Sequence, residues 1–293
     1  MRTFLNRCFL PVAFLLTALD LRANEIDGLM SREDVRQFLV KRVSKDYKKT
    51  DLFAKPYDGD STAYSGQFFK MDIDGNGLTD LIVNGRDLQV VMDWGRGKYG
   101  VVSPDRFRLS FWAVHLGGLD STGGVRKLIT RMKWDTLRMR DNHPVPIELD
   151  TLVWWRGGFI EYDPAPVADF RFESISVSTT RCFGTCPVFT MTVNADGSAR
   201  YEAIQFEDEL GVFTGTVPAK NVSSMIDLLK HIPVDRLASQ YAVDWTDDQT
   251  INVEIRYNGK VRQLSDYGLC GTFGLNRLYS YFFGWRKTVE WND

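Results

Sequence analysis

The run Met71-Asp72-Ile73-Asp74-Gly75-Asn76-Gly77-Leu78-Thr79-Asp80-Leu81-Ile82-Val83 sets the tightest limit on the fold. Acidic and amide side chains at this density compete for their own backbone, and glycine favours turning conformations, so neither helix nor strand continues through Asp72–Asp80. The flanks Gln67-Phe68-Phe69-Lys70-Met71 and Leu81-Ile82-Val83 are aromatic and β-branched, which reads as a strand entering and a strand leaving. An oxygen-rich turn between two strands suits calcium, which takes six to eight hard oxygen ligands if the backbone can bend sharply. Asp72, Asp74 and Asn76 stand at loop positions one, three and five, Gly77 at the turn and Asp80 at position nine. Leu78 would offer its backbone carbonyl. Val83 replaces the bidentate glutamate of a helix–loop–helix sensor, so the expected cofactor is a structural Ca2+ held by Asp72, Asp74, Asn76, Leu78 and Asp80.

Residues 67–85 resemble a single calcium loop of the FG-GAP and VCBS type. The resemblance implies a calcium ion held between strands in a structural role. A propeller needs several copies to close its ring, and the sequence carries one.

The N-terminus has the pattern of an export signal. Arg2 and Arg7 precede an apolar run, Cys8-Phe9-Leu10-Pro11-Val12-Ala13-Phe14-Leu15-Leu16, and Ala23 offers a small residue for cleavage. The run is short for a membrane span. The expectation is a signal peptide over 1–23 and a secreted or periplasmic mature protein without an integral span. A net charge of −2 and a pI near 6.0 argue against nucleic-acid partners, whose binding needs a basic surface.

At 293 residues, two domains are expected. Ser31, Glu33 and Asp34 ahead of Val35, Phe38, Leu39 and Val43 predict a capped amphipathic helix. Leu88–Asp93, Phe111–Leu116, Val125–Trp134 and Leu149–Trp155 predict strands, with glycine clusters at 95–97 and 117–124 as punctuation. Asp163-Pro164-Ala165-Pro166 marks a boundary. Beyond it, 175–179, 188–193, 199–206 and 212–217 read as strands. Val222, Met225, Ile226 and Leu229 carry a helical stripe. Asn258-Gly259 joins a hairpin of 251–257 and 261–264, and Leu275, Leu278, Tyr279 and Phe282 suggest a closing helix. The fold class is α+β: a domain over 24–163, a Pro-rich linker over 164–169 and a second domain over 170–293, each a mainly antiparallel sheet with one or two helices.

The second landmark is Arg181-Cys182-Phe183-Gly184-Thr185-Cys186-Pro187-Val188-Phe189, followed by Ala195-Asp196-Gly197 and Tyr201-Glu202. Signal cleavage would leave three cysteines, so one is unpaired within the chain. Cys182 and Cys186 can bridge across the glycine turn, or one can pair with Cys270. The stretch resembles a bacterial envelope-associated family known as a domain of unknown function, whose further landmarks match Asp247, Asn258-Gly259-Lys260 and Asp266-Tyr267-Gly268. The similarity implies a domain from about Phe172 onward and carries over no catalytic residue.

No reactive set emerges. His115, His143 and His231 lack metal-ligand spacing and read as surface or packing residues. Glu207-Asp208-Glu209 and Asp244–Asp248 read as solvated acidic loops. The leading expectation is a non-enzymatic binding protein of the cell envelope with a protein or glycan partner. Alternatives are a secreted carboxylate-dependent hydrolase and a thiol–disulfide redox protein using Cys182 and Cys186.

Overall fold

The computed structural model describes residues 24–54, 63–104, 112–134, 148–167, 169–243 and 245–292. The expected signal peptide over 1–23, Phe111, His143, Ala168 and Asp244 lie outside them.

Helix α1 (Arg32–Arg42) starts where the sequence places it. Ser31 accepts from the Asp34 amide and the Asp34 carboxylate accepts from the Ser31 amide, a reciprocal cap that satisfies two otherwise orphaned donors. Strands β1 (Gln67–Met71), β2 (Asp80–Asn84), β3 (Leu88–Asp93) and β4 (Tyr99–Val102) follow as an antiparallel sheet in sequential order. Every residue of β2 is buried, and the cause is layering. Leu81 and Val83 face α1 through Val35, Phe38 and Leu39, whereas Ile82 packs toward a second sheet through Val114, Leu116 and Leu128. That second sheet contains β5 (Trp112–Asp120), β6 (Lys127–Trp134), β7 (Glu148–Trp155) and β8 (Gly158–Glu161), again in sequential order. Among the described residues the first half therefore holds two antiparallel sheets with one α-helix. The glycine cluster at 117–124 does not end β5: the strand runs through Gly117 and Gly118 by a register shift opposite Ile129.

The second half forms one eight-stranded sheet. Its strands are β9 (Phe172–Thr179), β10 (Val188–Asn194), β11 (Ser198–Gln205), β12 (Gly211–Thr216), β13 (Gln240–Ala242), β14 (Thr250–Tyr257), β15 (Lys260–Tyr267) and β16 (Trp291–Asn292), ordered β13-β15-β14-β9-β10-β11-β12-β16. Among the described residues of this sheet only the β13–β15 pairing is parallel. Helices α2 (Ala219–His231) and α3 (Phe273–Thr288) share a core with one face, where Ile175, Val177, Met191, Val193, Val253 and Ile255 meet Met225, Leu229, Leu278 and Phe282. Alternate residues Ser176, Ser178, Thr190, Thr192, Asn252 and Glu254 occupy the other face, as period-2 geometry requires. Asn258 (φ 51°) and Gly259 (φ 70°) make the predicted hairpin turn, whose two left-handed residues match the strand twist.

The two halves are joined by more than the chain. Trp155 and Ile160 enter the core of the large sheet, and Phe273 enters the core of the first half. The Glu161 carboxylate accepts from the Phe273 and Gly274 amides at the start of α3. The proline segment is held in place: Asp163 pairs with Arg236 at 2.8 Å, and the Val167 amide donates to the Lys230 carbonyl at 3.1 Å.

Candidate functional site

The β1–β2 connection brings Asp72, Asp74 and Asp80 together, with one carboxylate oxygen from each lying within 4.8 Å of the others. Calcium–oxygen bonds are about 2.3–2.6 Å, so two ligands on opposite sides of one ion stand about 5 Å apart, and all three oxygens fit one coordination shell. Gly75 (φ 76°) and Gly77 (φ 85°) supply the left-handed turns that fold the loop back on itself. Asp72 accepts from the Gly75 and Gly77 amides, Asp74 from the Asn76 amide, and Asn76 Oδ1 from the Leu78 amide at 2.7 Å. Asp72 Oδ2 also takes the Arg126 guanidinium, whereas Asp72 Oδ1, Asp74 Oδ1 and Asn76 Oδ1 each accept one of these bonds and keep a second lone pair for a cation. The donor set is chemically that of a hard-cation site, and the residues fit a calcium ion.

Asp80 anchors the loop. Fully buried at the start of β2, it accepts from the Ile73 amide and the Asp93 amide, both at 2.7 Å, and so ties the loop to the end of β3. Burial pushes its pKa up to about 6 against the pull of those two amides, and the like charges of Asp74 and Asp72 add to the rise. Burial also raises Asp93. A divalent cation would offset this clustering of negative charge.

Two contributors escaped the sequence reading. Arg126, just ahead of β6 in the second sheet, reaches Asp72 at 3.0 Å, and the Asp93 carbonyl accepts from the Asn76 amide group at 2.7 Å. Neither has a local signal, because each is brought in by sheet packing across more than fifteen residues of chain. Arg126 supplies one positive charge where a cation would supply two.

Cys182 and Cys186 are joined in a disulfide, and Cys270 is a half-buried thiol outside that bridge. The bridge closes the short turn ahead of β10, leaving Phe183 exposed at its tip. The Cys270 amide instead donates to Asp266, a buried carboxylate that also accepts from the Gly271 amide and the Tyr279 hydroxyl. Burial raises the Asp266 pKa despite those donors.

The histidines separate by position. His115 is buried in β5, so it is a packing residue, and His231 is exposed at the end of α2 near Trp155. Trp155 belongs to the core, and Trp154 packs edge-on to Phe159. The acidic loops are not uniformly solvated. Glu207 is paired with Arg286 and its side chain is only 5% exposed, while Asp248 accepts from the Trp245 indole.

A domain of unknown function, DUF6438, is found at residues 173–285, which covers β9 through most of α3. No curated protein matches the chain, and no solved structure matches it. Among the described residues no helix is long and apolar enough to cross a membrane.

Proposed function

We propose that this is an exported, non-enzymatic binding protein of the cell envelope in which a calcium-stabilised α+β domain is joined to a DUF6438 domain. The observation that carries the proposal is the convergence of Asp72, Asp74 and Asp80 within 4.8 Å on a loop between two strands. The calcium holds the β1–β2 connection in place and leaves no chemistry for it to perform. Asn76 and the Leu78 carbonyl complete the shell. Export supplies the ion, since extracellular modules bind calcium with dissociation constants of about 10⁻⁴–10⁻³ M, which a plentiful supply fills. The basic-then-apolar N-terminus and the disulfide both suit an oxidising compartment.

The test is thermal unfolding of the mature protein with about 10 mM calcium and with chelator, beside Asp72→Ala and Asp74→Ala. Calcium at 10 to 100 times its dissociation constant stabilises by about 1.4–2.7 kcal/mol, so the parent melts several degrees higher with the ion than with chelator. Both variants lose that difference. Identical melting of the parent in the two buffers would reduce the loop to a turn.

A further inference from the structure

The connection between β9 and β10 is tied down at both ends before its disulfide is counted. Thr179 Oγ1 donates to the Pro187 carbonyl at 2.8 Å and accepts from the Phe189 amide at 3.0 Å. Gln249, buried just ahead of β14, donates through Nε2 to the Thr180 carbonyl at 2.9 Å and to the Pro187 carbonyl at 2.8 Å. Thr180 and Thr250 exchange two more bonds: the Thr180 amide donates to the Thr250 carbonyl, and the Thr250 amide donates to Thr180 Oγ1, both at 3.0 Å. All of these anchors lie outside the ring that Cys182 and Cys186 close, so the entry and exit of the turn are held against the sheet without it.

A bridge in this place is a weak staple. With a sequence separation of 4 it removes little chain entropy from the unfolded state, and the segment it closes is already ordered by its neighbours. The bridge is also within reach of solvent. Both cysteines are half-buried, the three residues between them are exposed, and Phe183 stands 88% exposed. Exposure is a mark of the labile disulfides, as opposed to the inert structural ones. One sulfur is set apart: the Gly184 amide donates to Cys182 Sγ at 3.2 Å, a bond that strengthens when the sulfur carries a negative charge. The Phe183 amide donates to the Asp247 carbonyl at 2.9 Å, so the closed ring presents Phe183 in one conformation.

We infer that the Cys182–Cys186 bridge is a thiol–disulfide exchange site, opened by a partner dithiol while the sheet stays folded, and that opening it releases Phe183. A thiolate of the partner attacks Cys186 Sγ and forms a mixed disulfide as the bond to Cys182 breaks. The electron pair leaves on Cys182 Sγ, where the Gly184 amide stabilises it until a proton arrives from water. The partner's second thiol loses its proton, attacks its own sulfur in the mixed disulfide and releases Cys186, which is protonated in turn. Two electrons and two protons have then passed from the partner, now a disulfide, to the turn. This switch goes beyond the binding role proposed above and uses nothing of the calcium loop.

The experiment treats the mature protein at pH 7.5 with about 1 mM dithiothreitol as the dithiol, quenches in acid and counts thiols by their mass shift with a maleimide. The count should rise from one to three at a rate within about tenfold of that for the same chain unfolded in urea, with circular dichroism unchanged. A bridge reached only through global unfolding would open at least about a thousandfold more slowly. That slow rate, or loss of the native spectrum on reduction, overturns the inference. In the reduced protein iodoacetamide should modify Cys182 at least about threefold faster than Cys186 at pH 7, read from fragment ions of the peptide that carries both. Equal rates, or a faster Cys186, overturn Cys182 as the leaving sulfur. Hydrogen exchange at the Phe183 amide should speed up at least about tenfold on reduction, and unchanged protection overturns the release of Phe183. None of these results bears on the calcium loop.

Discussion

Replacing Glu161 by alanine should loosen the joint between the two halves of the molecule. At the end of β8 its carboxylate accepts from the Phe273 and Gly274 amides, two of the donors that the first turn of α3 cannot satisfy internally. Orphaning each amide costs about 1–3 kcal/mol, and losing a negative charge at the helix N-terminus costs about 0.3–1 kcal/mol more. Relief of the carboxylate's own burial offsets part of this, so the net loss should be about 2–4 kcal/mol. Burial raises the Glu161 pKa in the fold, with the helix amides opposing it and the charge of Asp150 adding to it. A carboxyl whose folded pKa lies above the unfolded value contributes stability that is fully present below the unfolded value, about 4.3, and is lost as pH rises through the folded one. The gap between parent and Glu161→Ala should therefore widen from pH 7.5 toward pH 4.5. Urea unfolding followed by circular dichroism at both values measures it. A gap under about 0.5 kcal/mol, which is what an ordinary surface substitution gives, or one that narrows toward acid, would refute the reasoning.

Three further outcomes are expected. Gly85→Ala places a Cβ on the Leu52 carbonyl, and the forced shift should cost about 1–3 kcal/mol in urea unfolding. Cys182→Ser with Cys186→Ser opens a ring with a sequence separation of 4, for which chain entropy gives a modest loss of about 2 kcal/mol, read as a lower denaturant midpoint with the slope unchanged. Arg126→Met removes the guanidinium from Asp72 and should tighten calcium binding by roughly three- to tenfold in competition with a chromophoric chelator; unchanged or weaker binding would mean that Arg126 does not compete with the ion.

The sequence was most legible where local chemistry decides structure. The reciprocal cap at Ser31 and Asp34, the Asn258-Gly259 turn and the strand bounds of β1 and β3 follow from the side chains present. It was least legible where partners come from afar. Strand β13 has only three residues and exists because β15 offers it an edge in parallel register, and β16 is two residues docked beside Gly215. The division of the first half into two sheets is likewise a packing outcome: β2 reads as one apolar run, and its residues alternate between α1 and the second sheet. At the loop, Asp72, Asp74 and Asp80 were identifiable from spacing, but Arg126 and the Asp93 backbone were not, because strand pairing and sheet packing bring them in. The pairing of Glu207 with Arg286 across 79 positions was hidden for the same reason and turned an apparently solvated acidic loop into one side of a largely buried ion pair.

The most direct measurement is calorimetric titration of Ca2+ into chelator-stripped mature protein. The account predicts one site per chain with a dissociation constant of about 10⁻⁴–10⁻³ M, abolished in Asp74→Ala. A parent that takes up no calcium in that range, or an Asp74→Ala protein that titrates like the parent, would contradict it.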